Sequence, residues 1–185
     1  MGLFKKKDPL DDIFEDYDRA DCEDILETAR ALSENDRRVV AAVNSALDDP
    51  KGYIKRSAKQ FAERGIKLDG ETALDGLDAD ELLFLAMLDE LEMFDYAFEF
   101  DCKCGLEDFL WGLTQIKTYE LIKDVVRTTE LDEEEDIEKW GRAINKALGG
   151  RYSLCYIHID GGRYPLAIVT PEAFEKIPIP FITLM

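Results

Sequence analysis

Asp78 to Lys117 constrains the fold more than any other stretch, because a long apolar helix, a short aromatic strand and a second apolar helix follow one another with almost no spare residues. Asp78 stands at an N-cap and Glu81 three residues later, the reciprocal pattern in which the aspartate accepts from a first-turn amide and the glutamate reaches back to the cap. Leu83, Phe84, Met87, Leu88, Leu91 and Phe94 keep helical spacing, and Leu82, Leu85 and Ala86 widen the stripe. The helix is therefore expected to be covered on more than one side, with Asp89, Glu90 and Glu92 forming a wet face near its end. Tyr96, Phe98 and Phe100 alternate with Ala97 and Glu99, which predicts a half-buried strand with its aromatics on one side. After Asp101-Cys-Lys-Cys-Gly105, helical spacing resumes at Leu106, Phe109, Leu110, Leu113 and Ile116 and extends through Leu121, Ile122, Val125 and Val126.

The rest of the chain supplies the layers around this unit. Its 185 residues are enough for one substantial core. Residues 1–70 read as an N-terminal helical subdomain and 71–185 as an α+β core, the two forming one compact unit. Leu10, Ile13 and Phe14 mark a first amphipathic helix, Ile25, Leu26, Ala29 and Leu32 a second, capped by Asp21, and Val39, Val43 and Leu47 a third opening at Ser33. A fourth helix carries the one basic patch, Lys51, Lys55, Arg56, Lys59, Arg64 and Lys67, which either binds an anionic ligand or is neutralised by the chain's own carboxylates; the second reading is favoured.

The C-terminal part carries the strongest hairpin signal. A two-residue turn at Gly161-Gly162 would pair Asp160 with Arg163, Ile159 with Tyr164, Ile157 with Leu166 and Cys155 with Ile168. Leu154, Tyr156, His158, Pro165, Ala167 and Val169 would then share the other face, which is too apolar to leave wholly in water: either helices cover both faces or one face binds a partner. Pro165, lacking a donor, places its strand at a sheet edge. Ile137, Trp140, Ile144 and Leu148 form a helical stripe stopped by Gly149-Gly150, and the preceding acids Asp132 to Asp136 suit a first helical turn better than a cation site. Thr170-Pro171 opens a short helix, and the apolar tail Ile177 to Met185 is either tucked along the core or engaged with another chain. The fold class expected is α+β: a small, mainly antiparallel three-stranded sheet packed by helices.

Charge narrows the partners. The chain carries a formal net charge of -18, which opposes phosphate contacts and so disfavours nucleic acid. Residues 1–77 hold 13 basic and 18 acidic residues, and residues 78–185 hold 10 and 23, so the excess acid lies on the organising unit and beyond it. A partner with a basic surface is the functional reading of that excess; a well-solvated surface is the structural one. No run approaches a membrane span and the N-terminal Lys5 to Lys7 is not followed by an apolar signal core, so a cytoplasmic location with no membrane association is expected. Four cysteines without a dense framework read as free thiols.

The chemistry-bearing residues do not form a motif. Cys102 and Cys104 precede a helix N-terminus, a setting that lowers a thiol pKa, and are the best reactive candidates. Their spacing is not that of a redox or zinc pair, and Cys155 and His158 point to opposite faces of a strand, so no metal or cofactor is expected. His158, the single histidine, reads as a hydrogen-bonded strand residue rather than a catalyst. Tyr156 shares its face, and Glu99 and Asp101 lie opposite the strand aromatics as surface candidates.

The segment from Asp78 through Asp101-Cys-Lys-Cys-Gly-Leu-Glu-Asp-Phe-Leu-Trp111, with Tyr152 to Ile159 and Thr170-Pro-Glu-Ala-Phe174, resembles the bacterial domain of unknown function 6630 over about the last three fifths of the chain. The resemblance implies an α+β fold and no assigned activity or site. In acidity and fold the chain is also broadly similar to small acidic immunity proteins, which present charge complementary to a toxin. The function expected is a non-enzymatic acidic protein-binding module, immunity-like in character. The alternatives are a thiol-dependent enzyme using Cys102 or Cys104, and a structural homodimer through the C-terminal tail.

Overall fold

The computed structural model describes residues 8–66, 77–159, 163–179 and 182–185. The helices among them are α1 (Pro9–Ile13), α2 (Glu23–Leu32), α3 (Arg37–Asp48), α4 (Pro50–Arg56), α5 (Ala58–Glu63), α6 (Ala79–Met93), α7 (Leu106–Leu113), α8 (Lys123–Thr128), α9 (Ile137–Leu148) and α10 (Pro171–Phe174). The strands are β1 (Ala97–Asp101), β2 (Ser153–Ile157), β3 (Arg163–Val169) and β4 (Ile182–Leu184), in the spatial order β1-β3-β2-β4 with every pairing antiparallel.

The class is α+β as expected, but the sheet has four strands rather than three. The extra one comes from the tail: Ile182–Leu184 pairs with β2, and Ile179 and Ile182 are buried by the same chain. Asn145 of α9 fixes this end, its Nδ2 donating to the Leu154 and Met185 carbonyls at 2.9 and 3.1 Å and its Oδ1 accepting from the Leu154 amide at 2.7 Å.

The hairpin register differs by one residue from that expected. Leu154 faces Ile168, Cys155 faces Ala167 and Tyr156 faces Leu166, while the Gly161-Gly162 turn lies outside the described residues. Side chains alternate along a strand, so this slip moves Leu166 and Ile168 to the face of Leu154 and Tyr156, and Ala167 and Val169 to that of Cys155 and Ile157. β3 is central, not an edge: Pro165 lies one residue past its last pair with β2, where a missing donor costs least.

Helices cover both faces. Ala97, Cys155, Ile157, Ala167, Val169 and Ile182 join one core with the helices up to α6, and Phe100, Leu154, Leu166 and Ile168 join a second with α7, α8 and α9. Tyr96 precedes β1 and belongs to the first core, so it does not share the side of Phe98 and Phe100. The capping box of α6 forms, with Asp78 Oδ1 accepting from the Glu81 amide at 2.9 Å. Ile137, Trp140, Ile144 and Leu148 are all buried, and Gly149 and Gly150 take φ of 60° and 78°.

Several helix boundaries move. Asp21 lies in a 3-10 turn, Arg19–Cys22, so Cys22 rather than Asp21 precedes α2 and makes no side-chain cap, and the one fourth helix expected is two, α4 and α5, parted at Ser57. Asp36, not Ser33, caps α3, and Ser33 instead closes α2 by donating to the Ala29 carbonyl at 2.6 Å. The helix after β1 stops at Leu113 because Ile116 is extended; a 3-10 turn at Lys117–Leu121 and then α8 replace the continuation. The acids from Asp132 lie in a turn ahead of α9, where Asp136 caps through its side chain, rather than in the first helical turn.

Candidate functional site

The residues singled out from sequence do not converge. Tyr156 and His158 do meet, with ring centroids 4.2 Å apart, Tyr164 stacks on Tyr156 at 4.7 Å, and His158 Nε2 lies 2.8 Å from Thr183 Oγ1 on β4. Asp101 is used by its own turn, accepting from the Lys103 amide at 2.8 Å. Cys102 is exposed and Cys104 half-buried. Burial, with Asp108 and Asp101 nearby, pushes the Cys104 thiol up, opposite to the lowering expected at a helix start. α7 is short, so the helix end is a weak counterweight to two carboxylates. Cys155 is buried among apolar neighbours and pushed up to about 12.

Glu99 leads instead to a cluster that the sequence concealed. Arg64 follows α5 directly, and only 9% of its side chain is exposed. Its Nε and Nη2 donate to Asp89 Oδ1 at 3.1 and 2.9 Å, Nη2 also donates to Glu92 Oε2 at 2.8 Å, and Nη1 donates to Glu99. Arg163 donates to the other Glu99 oxygen and to the Glu63 carbonyl at 3.2 Å. Three carboxylates thus face two guanidiniums, and Asp89 Oδ2 and Glu92 Oε1 are buried with no hydrogen-bond partner. Burial, with Glu99 and Asp89 adding to it against the pull of Arg64, raises Glu92 to about 7, and burial likewise raises Asp89. Asp89 and Glu90 therefore do not make the wet face expected of them. Acids near the end of a helix that is otherwise apolar all round were the available signal: such a helix is covered on most sides, so its acids need a buried partner.

Other members of the basic patch are also matched within the chain. Lys51 meets Asp11 at 2.9 Å, Arg56 meets Asp49 at 3.1 Å, Lys59 meets Glu63 at 3.6 Å, and Lys55 pairs with Asp8, while Lys67 lies outside the described residues. This leaves little free cation on that face for an anionic ligand.

The opposite side is open. Between α7 and α8 runs a groove of about 390 Å³ lined chiefly by Leu110, Trp111, Thr114, Tyr119, Val126 and Leu131. Trp111 is 59% exposed, and its ring meets Phe98 edge-on at 5.6 Å, which supports one side of the indole. The wall sits close to the sheet because Gly112 has no side chain: a Cβ there would meet Phe100 Cε1 at 2.3 Å. The surrounding stretch, residues 106–132, holds the acids Glu107, Asp108, Glu120, Asp124, Glu130 and Asp132 against Lys117, Lys123 and Arg127. Lys117 is committed to Asp36 at 3.2 Å and Lys123 to Glu120 at 2.5 Å. Neither Trp111 nor Tyr119 could be recognised from sequence, since helical spacing shows which residues are apolar but not which neighbour fails to cover them.

The family model described as Domain of unknown function (DUF6630) matches residues 24–178. The chain belongs to this family. The DUF6630 match begins at Asp24, far upstream of Asp78, and so takes in the helices from α2 to α5 as well as the sheet and the groove. No curated protein and no solved structure matches the chain. Among the described residues, no group of three or more His, Cys, Asp or Glu side chains is arranged to hold a metal ion, and no helix is long and apolar enough to cross a membrane.

Proposed function

We propose that this DUF6630 chain is a non-enzymatic acidic module that binds a protein partner through a basic surface. The observation that carries the reading is the unequal fate of its acids. The cations of the helical side are largely consumed by neighbouring carboxylates, whereas Glu107, Asp108, Asp124, Glu130, Asp132, Glu133 and Glu134 are exposed and in no ion pair among the described residues. Unpaired acids along residues 107–134, with Glu15, Asp16, Asp24 and Glu34 exposed and in no ion pair among the described residues on the helical side as well, give the chain a field that speeds encounter with a basic surface and repels an acidic one. The raised thiol of Cys104 makes thiol chemistry the weaker reading, and burial of Ile179 and Ile182 within the chain removes the main reason for a dimer through the tail.

The test is comparative capture from the source cells. The chain and a variant carrying Glu107→Gln, Asp108→Asn, Glu130→Gln and Asp132→Asn are used side by side at low salt. A basic protein retained by the first, lost with the second and released by added salt is the expected result. Identical sets of retained proteins would sink the proposal.

A further inference from the structure

We infer that the groove between α7 and α8 is a binding site for a small aromatic carboxylate, its ring against Trp111 and its carboxylate on the Arg127 guanidinium. The inference goes beyond the acidic-module reading and does not depend on it. The groove offers about 390 Å³. That lies within the range of roughly 300–1,000 Å³ usual for small-molecule sites, whose walls are mostly apolar and aromatic with a few polar groups. Leu110, Trp111 and Tyr119 supply such walls, and the extended chain that follows α8 adds Leu131. Trp111 is 59% exposed although it packs edge-on against Phe98 at 5.6 Å, so much of the indole is left for a second ring to cover.

The charge of the ligand follows from the lining itself, which contains no aspartate or glutamate and one charged residue, Arg127. The Arg127 side chain is exposed and, among the described residues, in no ion pair, hydrogen bond or ring stack. The remaining polar groups agree with it. Trp111 Nε1 and the Tyr119 hydroxyl make no hydrogen bond to any described residue, whereas the Thr114 and Thr129 hydroxyls already donate to the Trp111 and Val125 carbonyls at 2.6 and 2.7 Å. What the lining side chains have left to offer is chiefly donors. That suits an acceptor-only group, and the two oxygens of a carboxylate match the fork of a guanidinium. An ammonium would find no acid in the lining to pair with. The strongly acidic chain as a whole opposes the approach of any anion, so the ring supplies most of the affinity and Arg127 the orientation.

The experiment titrates the full chain with naphthaleneacetate, and with its neutral amide, naphthylethylamine and octanoate as controls, following the indole N–H resonances by nitrogen-edited NMR. The chain has two tryptophans. The resonance of Trp111, identified by its loss in Trp111→Phe, should move, while that of Trp140, whose Nε1 donates to the Asp132 carbonyl at 2.7 Å, should stay near its place. Octanoate should bind more weakly than naphthaleneacetate, because an acyl chain gains no ring contact. Arg127→Gln, at an exposed position, should weaken the carboxylate roughly 10-fold and leave the weaker binding of the amide unchanged, a difference that a general loss of fold would not give. Arg127→Lys should recover part of the loss, keeping the charge but not the fork. The variant neutralised at Glu107, Asp108, Glu130 and Asp132 should bind naphthaleneacetate at least as tightly as the parent, so the groove and the acidic-module reading fail separately. No movement of the Trp111 resonance at millimolar naphthaleneacetate, equal binding of the amide or of octanoate, tighter binding of the amine, or undiminished binding by Arg127→Gln would overturn the inference.

Discussion

Two acid-rich regions of this molecule have opposite fates. Around Arg64, Asp89, Glu92 and Glu99 are held in a mostly buried cluster joining the end of α5 to α6 and β1. Along residues 107–134, by contrast, Glu107, Asp108, Asp124, Glu130 and Asp132 are exposed and in no ion pair among the described residues. A buried carboxylate is tolerated only while a cation and hydrogen bonds compensate it, whereas an exposed one is compensated by water. Acids of the first kind hold layers together and are unavailable to a partner. Those of the second kind contribute little to folding and are free to act at a distance.

The sharpest way to break this comparison is to remove the buried cation. Arg64→Met leaves three carboxylates with Arg163 alone, and should cost about 3–5 kcal/mol, the range for breaking a buried pair by removing one partner. Urea unfolding at about pH 8 measures it. The cost should shrink toward about pH 5, because the orphaned carboxylates can then take up protons instead of remaining charged. A loss below about 1 kcal/mol, or one independent of pH, would place the cluster with the exposed acids after all.

Glu92 gives the next largest effect. Its carboxyl is raised from the ordinary 4.5 to about 7, so between those values the folded chain binds more protons than the unfolded one. Stability from this group is accordingly greatest below about pH 4.5, falls as pH rises through 7 and is flat above it, with an upper limit of about 3 kcal/mol. Glu92→Gln should flatten that part of the profile and leave the variant more stable than the parent at about pH 8. An unchanged slope would mean that the excess charge of the cluster resides elsewhere.

How much of this was legible depends on whether a residue pattern had a single solution. The stripe of Ile137, Trp140, Ile144 and Leu148 did, because only a helix brings those positions together, and Asp78 with Glu81 specified a cap by chemistry alone. The hairpin register did not: both faces of Ser153 to Val169 are apolar, so a one-residue slip costs no burial and the pattern cannot reject it. Arg64 was indistinguishable from the other cations of its segment, since its carboxylates lie 25 to 35 residues away. Thr183 and Leu184 were legible as extended but not as a strand, because an edge pairing depends on a partner remote in sequence.

The smallest expected effect sharpens the comparison from the exposed side. Glu133 and Glu134 are in the turn ahead of α9, fully in reach of water, and neither forms an ion pair among the described residues. Replacing both by glutamine removes two like charges from a chain that already carries a large excess of them. The change in unfolding free energy should stay within about 0.5 kcal/mol, and its sign should be stabilising as self-repulsion falls. Association with the basic partner should slow at low salt and converge with the parent as salt is raised, because screening removes a long-range contribution but not a contact. If the substitutions instead destabilise the fold by about 1 kcal/mol or more, those carboxylates contribute to the native structure. The distinction between clamped and free acids would then fail where it is needed most.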